Sequence, residues 1–184
     1  MGRISVSPCG IDGLFVVESA VHGDERGWFM ESYNRRDFFD AGLDMDFVQD
    51  NCSRSERGVL RGLHYQTAHP QGKLVRVSAG EVFDVAVDLR PGSAAFGKWQ
   101  GVFLSGENKK QFYIPPGFAH GFYVLSGPAD FQYKVTDYYC HGDEGGIMWN
   151  DPDIAVDWPI PAGMTPVLSP RDRLWKSFKE SFDR

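Results

Sequence analysis

The sequence has little that would take it out of water. No apolar run approaches the roughly 20 residues needed to span a bilayer, and the N-terminus lacks the apolar stretch of a signal peptide. Cysteine is scarce: Cys9, Cys52 and Cys140 form an odd, widely spaced set with no C-x-x-C pair. Such a set fits free thiols in a reducing cytosol better than a disulfide framework. Positive charge is also in deficit. With 19 Lys and Arg against 25 Asp and Glu the formal net charge is -6, which argues against a nucleic-acid backbone as partner. A small anionic ligand needs only a few local cations and stays open. The expectation is a soluble, cytoplasmic protein with neither nucleic-acid nor membrane partners.

Several catalytic signatures are missing too. There is no Gly-x-Ser-x-Gly elbow, no Gly-x-Gly-x-x-Gly turn and no phosphate loop. That removes the usual routes to nucleophilic catalysis, hydride transfer and phosphoryl transfer. No repeat, low-complexity stretch or polar linker divides the 184 residues, so one domain over 1–184 is expected.

What is present is a chain of short apolar or alternating runs, rich in aromatics (14%), a composition that suits pleated, half-buried surfaces. Gly13 to Glu18, Gly27 to Tyr33, Phe47 to Asn51, Lys73 to Ser78, Glu81 to Leu89 and Gly101 to Ser105 read as strands. So do Gln111 to Ile114, Gly121 to Leu125 and Phe131 to Tyr138. Gly, Pro, Asn and Asp punctuate them at short intervals, which predicts an all-β sandwich or barrel. Helix is confined to Asn34–Ala41, with Phe38 and Phe39, and to Ser169–Phe182. In the latter Ser169 would be a cap, and Leu174, Trp175, Phe178 and Phe182 fall at helical spacing as a docking stripe.

Polar residues inside strand-like runs carry the chemical information, because their burial is unfavourable unless they are paired or used. Gln49 and Asn51 alternate onto one face with Phe47, either as ligand-binding amides or as a polar outer face. Arg61, His64 and Lys73 stand among glycines and apolar residues in Gly58-Val59-Leu60-Arg61-Gly62-Leu63-His64-Tyr65-Gln66 and Gln71-Gly72-Lys73. Together they suit a site that holds an anion beside a base. Strict alternation puts Arg61 and His64 on opposite faces, so a bulge or bend at Gly62 is predicted if both serve one pocket. Asp84 and Asp88 share a strand face with Val82 and Ala86, opposite Phe83, Val85 and Val87. His120, just past a rigid turn, is one partner for such a carboxylate; backbone N–H groups are the other. Pro116-Gly117-Phe118-Ala119-His120 is similar to the second metal motif of cupins. The first motif needs His-x-His, where this chain has His64-Tyr65-Gln66, so no metal is expected.

Taken in order, these segments resemble the dTDP-4-dehydrorhamnose 3,5-epimerase family. Beside those quoted above, Asp24-Glu25-Arg26-Gly27, Phe131-Gln132-Tyr133-Lys134, Trp149-Asn150-Asp151-Pro152 and Leu168-Ser169-Pro170-Arg171-Asp172 carry the resemblance. It implies a cupin-like jelly-roll barrel with short peripheral helices and a C-terminal helix. It also implies a homodimer and epimerisation of a dTDP-4-keto-6-deoxy sugar without a cofactor. His64 would be the base and Asp172 its partner, with Tyr133 the proton donor on the other face and Lys73 near the keto oxygen. The resemblance further implies that Arg26, Glu31, Gln49, Asn51, Arg61, His120, Tyr138, Glu144 and Arg171 hold the nucleotide sugar. Arg61 would lie on the pyrophosphate and Tyr138 near the base or sugar. One departure is Arg171, where the family often has Lys; a planar fork replaces a point charge.

Overall fold

The computed structural model describes residues 4–182. It has eleven strands: β1 Ile4–Pro8, β2 Phe15–Ser19, β3 Val21–Asp24, β4 Gly27–Met30, β5 Gln49–Ser55, β6 Leu60–Gln66, β7 Lys73–Asp88, β8 Trp99–Ser105, β9 Gln111–Ile114, β10 Phe118–Val135 and β11 Glu144–Gly146. Two short helices, α1 Arg35–Asp40 and α2 Phe178–Phe182, lie outside the barrel. The all-β, cupin-like jelly-roll expectation is borne out.

Two strands are longer than the sequence pattern predicts. Lys73 to Ser78 and Glu81 to Leu89 join as β7, and the last two expected strands join as β10. The turn signals between them mark bends, not ends. Register shifts in the β7–β10 ladder fall between Val124 and Ser126 and between Ser126 and Asp130, opposite Ala79-Gly80-Glu81. Gly80 takes φ +77°, and a Cβ there would lie 2.6 Å from the Pro128 carbonyl oxygen. Only glycine permits that close approach of backbone to backbone.

The bends let β7 and β10 belong to two layers. Their Lys73 and Val135 ends pair with β9 and β5, and β2 and β1 extend that layer. Their Asp88 and Phe118 ends pair with β8 and β6, and β11 extends the second. Inward side chains from both layers, including Val75, Val77, Phe112 and Phe131 from one and Val82, Ala86, Leu104 and Phe122 from the other, form one core. Phe122 and Phe131 stack across it at 4.2 Å. Each fully buried ring of this kind contributes roughly 1.5–3 kcal/mol. The outward face of the second layer, with Phe83, Val85 and Val87, is covered by Ile147, Ile154 and Trp158 from the C-terminal segment. Asp84 therefore faces the barrel interior with Val82 and Ala86, as the alternation predicts.

The first helix forms where expected. Asn34 caps it by accepting from the Arg36 N–H at 3.0 Å, and Phe38 is buried while Phe39 stays exposed. The C-terminal expectation needs correction: helix runs only from Phe178 to Phe182, not from Ser169. Ser169 does act as a cap, accepting from the Asp172 N–H at 3.0 Å, but its turn does not propagate. Lys176 bridges Ile147 and accepts from the Met148 N–H, which holds that stretch extended. The helix begins at a second cap, where Ser177 and Glu180 bond each other's backbone N–H groups. Of the expected stripe, Phe178 and Phe182 pack on Phe96, whereas Leu174 is 80% exposed.

Candidate active site

The distortion predicted at Gly62 is present. His64 pairs with His120 and Arg61 with Phe122, so β6 carries three steps where β10 carries two. Gly62 has φ +131°, and a Cβ there would sit 2.5 Å from Gly121 Cα. The extra residue turns two side chains of opposite parity to one side of the strand. Arg61 and His64 consequently line the same cavity of about 340 Å³, with Glu144, Arg171 and Asp172. Arg61 is steadied by donating from Nε to Ser55 Oγ at 3.0 Å.

His64 Nε2 lies 2.5 Å from Asp172 Oδ1. The carboxylate is buried and receives two more hydrogen bonds, from Ser169 Oγ at 2.8 Å to Oδ2 and from Trp175 Nε1 at 3.1 Å to Oδ1. Burial by itself raises the Asp172 pKa; the donors His64, Ser169 and Trp175 outweigh it and hold the group below the usual carboxylate range. An ionised Asp172 keeps a proton on Nε2 and leaves the Nδ1 lone pair of His64 free.

A second recess adjoins the first, and the two share His64 and Glu144. Lys73, Tyr133 and Tyr139 line it. Desolvation pulls the Lys73 ammonium down to about 8, against the opposing pull of Asp84 and Glu144. Tyr133 is raised, first by desolvation and then by Glu144 and Tyr139, with Arg61 opposing. Deeper in the barrel His120 Nε2 meets both Asp84 oxygens, at 3.0 and 2.9 Å, and its ring stacks on Phe131. Burial lowers the His120 pKa, with Asp84 partly restoring it. Of the two partners open to Asp84 from the sequence, the histidine is the one it finds.

The remaining expected residues divide. Gln49 donates from Nε2 to Asn51 Oδ1 at 2.9 Å, so the two amides share a face, and Gln49 Oε1 accepts from the Tyr139 N–H. Asn51 stands opposite Tyr133 in the β5–β10 ladder. Arg171 forms an ion pair with Glu144 across the cavity mouth. Arg26 is elsewhere: it sits in the β3–β4 hairpin, 84% exposed and paired with Asp24, beside a recess made by that hairpin. Glu31 accepts from Asn34 Nδ2 at 2.6 Å and lines neither recess. Tyr138 is 66% exposed, and its neighbour Tyr139 takes the cavity position, donating to Glu144 Oε2 at 3.1 Å. Ser169 and Trp175 had shown themselves in the sequence only as helix cap and apolar stripe. Among the described residues, no group of three or more His, Cys, Asp and Glu side chains converges as a metal's ligands would.

Two recesses that share His64 and Glu144, and present an imidazole–carboxylate pair, a desolvated ammonium and a phenol, define the class of acid–base enzymes that move protons without redox change. Residues 8–180 match the family profile described as dTDP-4-dehydrorhamnose 3,5-epimerase. The chain belongs to that family. It is 56% identical over 172 residues to the dTDP-4-dehydrorhamnose 3,5-epimerase of Pseudomonas aeruginosa, covering 93% of this chain and 94% of that one. It is 52% identical over 171 residues to the enzyme of the same name from Methanothermobacter thermautotrophicus, covering 93% and 92%. Its structure superimposes with a TM-score of 0.91 on dTDP-6-deoxy-D-glucose-3,5-epimerase of Legionella pneumophila, solved with dTDP-4-keto-L-rhamnose. That pair is 55% identical, with 95% of this chain and 93% of the other covered.

Proposed function

We propose that this chain epimerises dTDP-4-dehydro-6-deoxy-D-glucose at carbons 3 and 5, giving dTDP-4-dehydro-L-rhamnose for dTDP-L-rhamnose biosynthesis. The observation that carries the reading is the His64–Asp172 pair at 2.5 Å, in a cavity that shares His64 and Glu144 with the recess of Lys73 and Tyr133.

The keto group at carbon 4 acidifies the neighbouring C–H bonds. His64 removes a proton through Nδ1, and Asp172 stabilises the imidazolium that results. The electron pair left on carbon flows to the keto oxygen as an enolate. Lys73 supplies the charge that holds it, in a site from which water is largely excluded. Tyr133 returns a proton from the opposite face, which inverts the carbon; water then takes the proton from His64 and reprotonates the Tyr133 phenolate, so the same steps serve the second carbon. Electrons are neither gained nor lost, so the steps need no redox cofactor. Gln49, Asn51, Arg61, His120, Glu144 and Arg171 hold the nucleotide sugar, with Arg61 on the pyrophosphate.

Arg26 enters this reading through a second subunit, while Glu31 and Tyr138 line neither recess. The β3–β4 hairpin stands as its own two-stranded sheet, with Val21 44%, Trp28 57% and Phe29 68% exposed. In a homodimer that apolar edge would be covered and Arg26 could reach the partner's cavity. Sedimentation analysis tests the dimer. No helix among the described residues is long and apolar enough to cross a membrane, and the free thiols of Cys9, Cys52 and Cys140 suit the cytoplasm.

Solvent-deuterium incorporation decides the chemistry. Label at both carbons 3 and 5, lost together in His64→Ala, is the expected outcome. Label at one carbon only would make the chain a single-carbon epimerase of a related sugar. Undiminished turnover in His64→Ala would overturn the mechanism.

A further inference from the structure

We infer that Trp175 is a positioning residue for the base: its indole N–H shares Asp172 Oδ1 with His64 and sets how tightly the carboxylate holds the imidazolium. The inference rests on the proposal that His64 is the base.

Three observations place the indole there. Nε1 donates to Asp172 Oδ1 at 3.1 Å, the same oxygen that lies 2.5 Å from His64 Nε2. The ring stands edge-on to the His64 ring, with centroids 6.0 Å apart and planes at 68°. It is also seated tightly, because a Cβ at Gly146 would lie 2.3 Å from it, and Gly146 is the ladder partner of His64. Glycine at that point of β11 is what leaves room for a large ring beside the base. The next residue, Lys176, is pinned to Ile147 by a bridge, so the indole is anchored from its own backbone as well.

The consequence follows from competition for one oxygen. A carboxylate that already accepts from Ser169 and Trp175 is more weakly basic than one with His64 as its sole partner. It stays ionised, and its Oδ1 is divided between the indole N–H and the imidazole instead of being left to His64 alone. Other charges act on the imidazole from every side. Arg171 on the C-terminal segment and Arg61 on β6 line its cavity, and Glu144 on β11 opposes them. Lys73 on β7 and the phenol of Tyr133 on β10 face it in the adjoining recess; His120, tied to Asp84, is its ladder partner. Arg171 also stacks over the Trp175 ring, 5.2 Å from its centroid, so the informative variant is one that keeps a ring there and removes the N–H.

Trp175→Phe keeps a ring on Gly146 and deletes the donor. Asp172 Oδ1 is then left to His64, the imidazolium is stabilised, and His64 must reach higher pH before it is free to act. The acidic limb of kcat/KM should move up by roughly half to one pH unit, with KM on the plateau unchanged. Trp175→Leu, which removes ring and donor, should move the limb the same way and lower Tm besides. An acidic limb in Trp175→Phe that coincides with the wild type would show that the ring only fills space. A second measurement needs no variant. The Trp175 indole N–H resonance of the wild-type enzyme, assigned by cross-relaxation to the His64 ring, should titrate with the acidic limb. A shift independent of pH refutes the coupling. Failure here is distinguishable from failure of the proposed base, because His64→Ala would still abolish deuterium incorporation.

Discussion

Replacing Asp172 by Asn is the sharpest test of the base, since the amide keeps the shape of the side chain and removes its charge. The Asn carbonyl oxygen can still accept from His64 Nε2–H and Trp175, while its NH2 group turns towards Ser169 Oγ, so the fold should tolerate the change. What is lost is a hydrogen bond to a charged group between two residues that are 29% and 4% exposed. Such a bond is worth about 1.5–3 kcal/mol. At 1.36 kcal/mol per tenfold in rate, that is an effect of roughly 10–100-fold on the step that forms the imidazolium. The sign follows directly: without the anion the imidazolium that forms on abstraction is less stable, and the barrier to forming it rises. A weaker base abstracts more slowly, so kcat at the plateau should fall by roughly 10–100-fold. KM should change little, because the carboxylate holds the ring rather than the nucleotide. The assay is wash-in of solvent deuterium at carbons 3 and 5, followed by NMR across the pH range. A kcat within about threefold of wild type refutes the reasoning.

Further outcomes follow from neighbouring residues. With the Lys73 pKa near 8, the ammonium that holds the enolate is lost as pH rises, so kcat/KM should decline above about pH 8. Lys73→Arg should carry that basic limb upwards, and a wild-type profile flat through pH ~9 would exclude Lys73 from the role. Tyr133→Phe should leave exchange at the face served by His64 while slowing inversion on the order of 10²–10⁴-fold; unchanged inversion would remove Tyr133 as the acid. Gly62→Ala meets both a φ of +131° and the Gly121 Cα at 2.5 Å. It should destabilise the fold by on the order of 2–6 kcal/mol, measured by denaturant unfolding. Unaltered stability there would mean that β6 can straighten without the bulge.

Local order in this protein follows from the sequence, and the meetings of distant groups do not. Alternation along β7 places Asp84 inward and Phe83 outward because the strand repeat of two is a property of the backbone alone. The same rule, applied to Arg61 and His64, gives a conflict that a glycine resolves, so the bulge is legible in the sequence itself. Residue types likewise mark His64 and Lys73, whereas Tyr133 and Asp172 are marked only through likeness to a known family. Other features were not legible. Two strands carry turn signals in their middles, and only the stacking of two layers decides that the chain bends there instead of reversing. The stripe from Leu174 to Phe182 has helical spacing, yet Lys176 pairs with Ile147 and holds its first half extended, tertiary pairing overriding local propensity. The same override carries Trp175 from an apolar stripe to the carboxylate beside the base. Asp172 reaches His64 across 108 residues. Such a contact is set by loop closure and packing over the whole barrel, which no window of sequence contains. Arg26 lies exposed on its hairpin and lines neither recess, a placement that the alternation of its hairpin strands does not reveal.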